Sequence, residues 1–362
     1  MPYLYSDEQR QIREEVRRML ASTDGAATLR GLLEQSGAHD AAFWSSAREM
    51  GWTAMSVAES DGGLGLGPID ALIVAEECGR ALGGASFLAT GFAAAHALSA
   101  TGASNALQAV ASGDSIAVLA FAEGSEALPL APETRFAGGV LTGRKTAVLG
   151  GAAADIAIVL AVDEGGALCL AQVSLGGEGV ARDVPPTVDN SRCVATLTFD
   201  GAPASRLATR DPLTLARSSL GRLALFLASE GVGGADACIG LARDYANQRQ
   251  AFGQAIGKFQ AVKHGIAEMY VLNEMARASV LDAAVRLAAG DEDVEAYVGA
   301  ARLNAIQAYE AAAAGATQIH GGIGVTWEAD LHLHYRRSRS LATEAGSVFY
   351  WEDRVAATLE AA

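Results

Sequence analysis

The chain has 362 residues, of which half are apolar and 19% are charged, so global disorder is excluded and two or three domains with buried cores are expected. The formal net charge of −15 argues against nucleic-acid binding, because phosphate backbones require a basic surface. The four cysteines lie far apart without a Cys-x-x-Cys pair, so neither a metal site nor a disulfide framework is expected. The start of the chain lacks the pattern of a signal peptide, and no apolar stretch reaches the ~20 residues of a membrane span, which favours a soluble cytoplasmic protein.

Residues 1–115 are predicted to form an α-helical domain. Ser6 and Gln9 have the spacing of a capping box at the start of a helix. A glycine-rich loop over 61–67 precedes Pro68, a favourable first residue for the next helix. The loop lacks the lysine and hydroxyl residue of a phosphate-binding P-loop, so we interpret it as a turn between helices.

Residues 116–206 are predicted to form a small β domain. Short apolar runs rich in β-branched residues alternate there with glycine-rich turns, and they predict strands over 116–121, 139–143, 156–161, 168–173 and 194–199. No helix of ordinary length fits between these runs, so a barrel or sandwich is favoured over a parallel sheet.

Residues 207–362 are predicted to be helical again, with long segments that end at Arg249, Gly290 and Gly315. These segments are rich in alanine and carry few charges. Long helices of this composition usually pack side by side, so the sequence predicts a four-helix bundle.

Two motifs follow the ends of these long helical segments, Arg249-Gln-Ala-Phe-Gly253 and Gln318-Ile-His-Gly-Gly-Ile-Gly324. A guanidinium group can contact a pyrophosphate through two hydrogen bonds, and Phe252 can pack on an adenine or ribose. Adjacent glycines permit backbone amides to approach phosphate oxygens closely. Taken singly, each motif also fits a structural explanation: a surface arginine beside a core phenylalanine, or a helix cap followed by a tight turn.

Together with Ile256-Gly-Lys-Phe-Gln260, the two motifs resemble the C-terminal signature of the acyl-CoA dehydrogenase family of flavoenzymes, and the resemblance runs nearly end to end. It implies a mainly α fold with an N-terminal helical domain, a small β-barrel and a C-terminal four-helix bundle. It also implies FAD, whose adenosine half would be held across a subunit interface. The matching positions are Arg249, Phe252, Gln260, Gln318, Gly321 and Gly322.

The chain departs from the family where the catalytic glutamate is expected. Counted from Tyr335, that position falls at Ala345, one residue after Glu344. If the segment is helical, one residue rotates a side chain by about 100° and points Glu344 elsewhere. Some members carry the base on the earlier helix, where this chain has Gly221. The nearby carboxylates that could substitute are Glu344 and Glu230, and the structural alternative for Glu230 is a hydrogen-bonded helix residue.

The loop beside the flavin ring is a second departure. The family pattern is reduced here to Ala122-Glu-Gly-Ser125, and Ala147 replaces an aromatic residue common beside the flavin. These changes put the ring pocket of this chain in doubt.

The leading hypothesis is a subunit of an FAD-dependent acyl-CoA dehydrogenase that contributes adenosine-side contacts while its catalytic base is absent or displaced. By resemblance, such chains form α2β2 pairs that act on steroid-side-chain CoA thioesters, with electron transfer flavoprotein as acceptor. Three alternatives stay open: a self-sufficient homo-oligomeric dehydrogenase that uses Glu344 or Glu230, a flavin-dependent monooxygenase of the same fold, and a scaffold that has lost flavin.

Overall fold

The computed structural model describes residues 5–84, 86–291 and 293–361. Its first part is helical, as predicted, and the capping box is formed, with the backbone amide of Gln9 donating to Ser6 Oγ at 3.1 Å. Pro68 is the first residue of its helix. The helices are α1 Asp7–Ala21, α2 Gly25–Leu33, α3 Ala41–Glu49, α4 Pro68–Arg80, α5 Ser86–Ala100 and α6 Ser104–Ala111.

The middle of the chain forms a small barrel. The strands are β1 Ala117–Ala120, β2 Arg135–Ala137, β3 Val140–Val148, β4 Ile156–Asp163, β5 Leu168–Ser174, β6 Val180–Asp183 and β7 Ala195–Arg206. Strand β4 pairs with both β2 and β5, and the path β4-β2-β3-β7-β5 therefore closes on itself. All five predicted strands are present. Strands β2 and β6 were not predicted, because three or four half-exposed residues leave no apolar run in the sequence.

The last part of the chain packs as a helical bundle. Its helices are α7 Pro212–Gln248, α8 Gln260–Ala289, α9 Val294–His320, α10 Leu331–Leu341 and α11 Val348–Ala361. The predicted ends at Arg249 and Gly290 are confirmed, but the predicted end at Gly315 is wrong, since α9 continues to His320. A Cβ atom on Gly315 would lie 2.4 Å from Met269 Sδ, so this glycine permits close packing of α8 and does not end the helix.

Helices α4 and α7 cross at glycines, which joins the N-terminal helices to the bundle. A Cβ atom on Gly233 would lie 1.7 Å from the carbonyl oxygen of Glu76, and one on Gly79 would lie 1.9 Å from that of Glu230. Because real Cβ atoms do not approach backbone so closely, only glycine fits at these two positions.

Among the described residues, α7 is the one helix that is both long and apolar enough to cross a membrane, although the sequence had predicted no membrane span. However, 83% of its apolar stretch is buried inside the fold. That burial is typical of the core helix of a bundle.

Candidate functional site

The first motif forms a protruding hairpin after α7. Residues Gln250–Ala251 (β8) pair with Gln254–Ala255 (β9), and Gly253 turns the chain with φ +78°. Phe252 at the tip is 94% exposed and itself adopts φ +52°, a conformation that non-glycine residues rarely take. Arg249, at the end of α7, is exposed, and its guanidinium has no hydrogen bond or ion pair among the described residues. The hairpin therefore presents an unused cation and an aromatic face to solvent.

The second motif lies close to the first. Tyr245 near the end of α7 stacks on His320 at the end of α9, with ring centroids 4.2 Å apart. Gly321 follows with φ +62°, and Gly322 and Gln318 are exposed. The stack thus places the Gly–Gly turn beside the base of the hairpin.

Gln260 begins α8, one short 3-10 turn after the hairpin, and is also exposed. The six predicted FAD residues therefore lie on exposed surface, at the end of α7 and in the hairpin after it, at the start of α8 and at the end of α9. A cation, an aromatic ring and glycines that permit close approach of the backbone are the groups that suit a dinucleotide. FAD bound on such an open surface would need contacts from a second protein surface as well. The roles of these six residues stay predictions.

A separate cavity of about 190 Å³ lies between the barrel and the bundle. The reduced loop contributes Ala122, Gly124 and Ser125 to its wall. Leu220 and Leu223 of α7 also line it, on either side of Gly221. The remaining lining residues include Ala147, Thr343, Ala345 and Gly346. We refer to this space as the ring cavity, because the loop that faces it is the one predicted to lie beside a flavin ring.

Ala345 lines the ring cavity at the position where the family pattern predicts the catalytic glutamate. Its φ of +55° is unusual for a residue with a side chain. A methyl group cannot accept a proton, so this position supplies no base.

Glu344 and Glu230 are buried in an ion-pair network, away from the ring cavity. Arg192 donates to Glu344 from Nε at 2.9 Å and from Nη2 at 2.6 Å. The same guanidinium donates to Glu230 from Nη1 at 2.9 Å. Burial lowers the pKa of Arg192, but the facing carboxylates outweigh that effect and hold the pKa above its ordinary value.

Arg337 extends this network to the barrel. It donates to Glu230 Oε1 at 2.9 Å and to Asp189 Oδ2 at 2.6 Å. Arg302 is also buried and donates to the carbonyl oxygen of Glu344 at 2.9 Å. We call these six residues the buried charge network: Asp189, Arg192, Glu230, Arg302, Arg337 and Glu344. It contains three carboxylates and three guanidinium groups, so its formal charges balance.

The helical premise used for Glu344 is wrong, because α10 ends at Leu341 and Glu344 lies in the turn before α11. The carboxylate is directed away from the ring cavity by Arg192 and not by helical rotation. Glu230 is fully buried within α7 and hydrogen-bonded, as its structural alternative predicted. Neither carboxylate is positioned as a free base.

Glu123 of the reduced loop is likewise engaged in hydrogen bonds within the protein. Its Oε1 accepts from Lys145 Nζ at 2.6 Å and from Thr134 Oγ1 at 2.7 Å. Burial opposes ionisation of Glu123, but these hydrogen bonds outweigh it and lower its pKa. Burial also lowers the pKa of Lys145 to about 8 despite the pairing.

Glu126 is the carboxylate that does line the ring cavity, and the sequence analysis did not single it out. Glu126 is exposed. Its backbone amide donates to the carbonyl oxygen of Glu123, and the amide of Glu123 donates to the carbonyl oxygen of Glu126. No sequence signal separated Glu126 from other surface glutamates, because its position depends on the turn between Glu123 and Glu126.

Comparisons with known proteins point to the same family in both the N-terminal and the C-terminal part of the chain. Residues 6–113 match the family described as acyl-CoA dehydrogenase, N-terminal domain, and residues 213–358 match acyl-CoA dehydrogenase, C-terminal domain. Acyl-CoA dehydrogenase IpdE2 of Mycobacterium tuberculosis is 32% identical over 339 residues, which cover 93% of this chain and 92% of that protein.

Two solved structures share the fold over nearly the whole chain. The ChsE4-ChsE5 complex from Mycobacterium tuberculosis is similar with a TM-score of 0.88 and 23% identity, covering 99% of this chain and 98% of that one. The Tcur3481-Tcur3483 steroid ACAD is similar with a TM-score of 0.88 and 22% identity, covering 98% of each chain.

Proposed function

The chain belongs to the acyl-CoA dehydrogenase family, and on that premise we propose that it is a subunit of an FAD-dependent enzyme in which a related partner chain carries the catalytic base. This chain contributes contacts to the adenosine half of FAD. The reaction is α,β-dehydrogenation of an acyl-CoA thioester.

The FAD contacts rest on the surface formed by the hairpin and the Gly–Gly turn. Arg249 has no ion-pair partner there within the described part of the chain, and Gly321 and Gly322 are exposed. Almost the whole ring of Phe252 is exposed to solvent, which is unfavourable for an apolar side chain. A ligand or partner that covered the ring would remove this unfavourable exposure. FAD, when bound, supplies the acceptor for the two electrons that leave the acyl group.

The observation that carries the subunit proposal is the state of the base positions. Ala345 stands in the ring cavity where the glutamate is expected, and Gly221 occupies the other family position. The buried charge network engages both Glu344 and Glu230. A general base has to reach within about 3 Å of the proton that it removes, and a carboxylate held by buried guanidinium groups would lose strong hydrogen bonds in doing so.

The partner and substrate are proposed by analogy with the similar proteins. One of them is a complex of two named chains, and another is described as a steroid ACAD. We therefore propose a heteromeric α2β2 assembly with a related chain, steroid-derived acyl-CoA thioesters as the first substrates to test, and electron transfer flavoprotein as acceptor.

The test is anaerobic turnover of a panel of acyl-CoA thioesters with an artificial electron acceptor. The purified chain alone, supplied with FAD, is expected to show at most trace turnover, because a general base contributes roughly 10²–10⁴-fold to proton transfer. Co-purification with a related acyl-CoA dehydrogenase chain from the same organism is expected to restore turnover. Rapid conversion of any thioester to the enoyl-CoA by this chain alone would contradict the proposal.

Glu126 favours a second candidate, a self-sufficient homo-oligomeric dehydrogenase, because it places a carboxylate at the ring cavity. The variant Glu126→Gln separates the two. If the chain alone turns over substrate and Glu126→Gln removes that turnover while flavin stays bound, the self-sufficient enzyme is correct. If the two-chain assembly is active and Glu126→Gln leaves its kcat unchanged, the base resides elsewhere.

A further inference from the structure

A second cavity, of about 180 Å³, lies on another side of α7. It is enclosed by α5, by α7 and by the loop that leads into α4. None of its lining residues borders the ring cavity: Arg222 faces this space, whereas Leu220 and Leu223 face the ring cavity. Helix α7 therefore separates the two spaces. We call this second space the Arg222 cavity.

Arg222 is a half-buried cation without a carboxylate partner among the described residues. Its one hydrogen bond runs from Nη1 to Ser218 Oγ at 3.3 Å. Across the described parts of the chain, no carboxylate lies within ion-pair distance of it, unlike the arginines of the buried charge network. Its other nitrogens are not among the fully enclosed polar atoms that lack partners, so they remain accessible through the cavity.

The charge of Arg222 is accordingly costly. Burial lowers its pKa to about 10, with no neighbouring carboxylate to oppose the shift. The group stays protonated at neutral pH, and a cation that loses part of its hydration without gaining a counter-ion is unfavourable. An anion that entered the cavity would remove this cost.

His96 contacts the serine hydroxyl to which Arg222 donates, and it adds no charge. Its Nε2 lies 2.8 Å from Ser218 Oγ, the same oxygen that accepts from Arg222. Burial and the nearby Arg222 lower the pKa of His96 to about 4, so the imidazole is neutral at pH 7. The cavity therefore presents one positive charge, and Leu66, Phe92 and Ala95 supply apolar walls.

We propose that the Arg222 cavity is a binding site for a small organic monocarboxylate, with the carboxylate on Arg222 and a short apolar body against Leu66 and Phe92. A guanidinium matches a carboxylate through two parallel hydrogen bonds. One positive charge balances a monoanion and leaves a phosphate dianion with uncompensated charge. A volume of about 180 Å³ is many times the roughly 10–15 Å³ that a single water requires, so a ligand of several heavy atoms fits.

Isothermal titration calorimetry on the full-length protein, in the assembly that it forms, tests the site with three probes: butyrate, its neutral isostere butyramide, and inorganic phosphate. The unmodified protein is expected to bind butyrate saturably, and to bind butyramide and phosphate at least tenfold more weakly. This comparison needs no variant. Equal binding of butyramide, or tighter binding of phosphate, would overturn the proposal.

Variants then locate the bound butyrate. Arg222→Gln is expected to weaken binding by about ten- to hundredfold, because charge-assisted hydrogen bonds are lost. Arg222→Lys keeps the charge without the planar fork and is expected to fall between the two. Arg210→Gln, at an exposed arginine just before α7, is the matched control and is expected to retain the parental affinity. Butyrate affinity that is unchanged in Arg222→Gln would place the ligand elsewhere and overturn the assignment.

Discussion

Both carboxylate oxygens of Glu344 accept hydrogen bonds from a single guanidinium, that of the buried Arg192. The adjacent Ala345 faces the ring cavity instead. One residue along the turn therefore separates a position that could act on a substrate from one that holds the barrel to the bundle. The role of Glu344 follows from its partner and not from its nearness to the family position.

Glu344→Gln is expected to lower stability more than it lowers the chemical rate. The substitution removes one negative charge from a balanced network, and Arg192 keeps only Glu230 as a charged partner. Because breaking a buried pair costs about 3–5 kcal/mol when no partner remains, a loss of roughly 2–3 kcal/mol is expected here. Denaturant unfolding measures the change.

Glu352→Gln, at an exposed position of α11, is the control and is expected to be within about 0.5 kcal/mol of the parent. A Glu344→Gln protein of parental stability, whose active assembly had lost several orders of magnitude in kcat, would show that Glu344 is the base after all.

Arg249→Ala is expected to weaken FAD binding in the assembly by about ten- to hundredfold, since a charge-assisted hydrogen bond contributes about 1.5–3 kcal/mol. Fluorescence titration of the apo-assembly with FAD measures the affinity. Arg243→Ala is the matched control, because Arg243 is an exposed arginine of the same helix that pairs with its neighbour Asp244. Equal FAD affinities of the two variants would argue against the assignment of Arg249.

Gly233→Ala is expected to destabilise the fold strongly, because its Cβ atom would lie 1.7 Å from the backbone oxygen of Glu76 where α4 crosses α7. Overpacking of this kind typically costs about 1–3 kcal/mol, and contact with backbone places the effect at or above the upper end. Gly240→Ala on the same helix meets nothing within 4 Å and is expected to stabilise by up to about 1 kcal/mol. Thermal unfolding of both variants checks the difference, and the same sign for both would contradict the close crossing.

Acid is expected to destabilise the protein in part through His334. Burial lowers its pKa to about 3 from an ordinary value of 6.5, while Nδ1 lies 2.9 Å from Tyr309 Oη. Below pH 6.5 the unfolded chain therefore binds a proton that the folded chain does not. Stability is lost as the pH falls, by about 1.4 kcal/mol per pH unit for this group.

His334→Gln is expected to show a shallower loss of stability between pH 6.5 and 4.5, and denaturant unfolding across that range measures it. His96, whose pKa is about 4, contributes a similar slope that the variant keeps. His264→Gln, at an exposed histidine, serves as the control and should follow the parent. An unchanged pH dependence in His334→Gln would mean that the buried imidazole does not resist protonation.

The sequence was sufficient for the fold where local signals and burial agree. The capping box at Ser6, the helix start at Pro68 and the five apolar strands all follow from short-range patterns. The helix end predicted at Gly315 was wrong because, in a sequence, a glycine that permits helix packing looks the same as one that ends a helix. The difference depends on Met269, 46 positions away in sequence, which no local pattern reveals.

The site divides in the same way. The motifs at Arg249 and Gly321 could be located because each follows a helix end, and the Tyr245–His320 stack that joins them could not. Likewise, the partners of Glu344 and Glu230 lie far away in sequence, so proximity to the family position suggested a catalytic role that the contacts do not support. The lack of a carboxylate partner for a half-buried arginine is equally invisible in a sequence, so no sequence pattern distinguished Arg222 from other arginines.

The buried charge network has a consequence for how the molecule comes apart. Asp189 and Arg192 belong to the segment between β6 and β7, Glu230 to α7, and Arg337 and Glu344 to the last third of the chain. Excising the barrel would remove Arg192 and Asp189, leaving the Glu344 carboxylate without its guanidinium partner and Arg337 with Glu230 alone. The three regions are consequently expected to melt as one cooperative unit, and domain exchange with a relative succeeds only if all six charges move together.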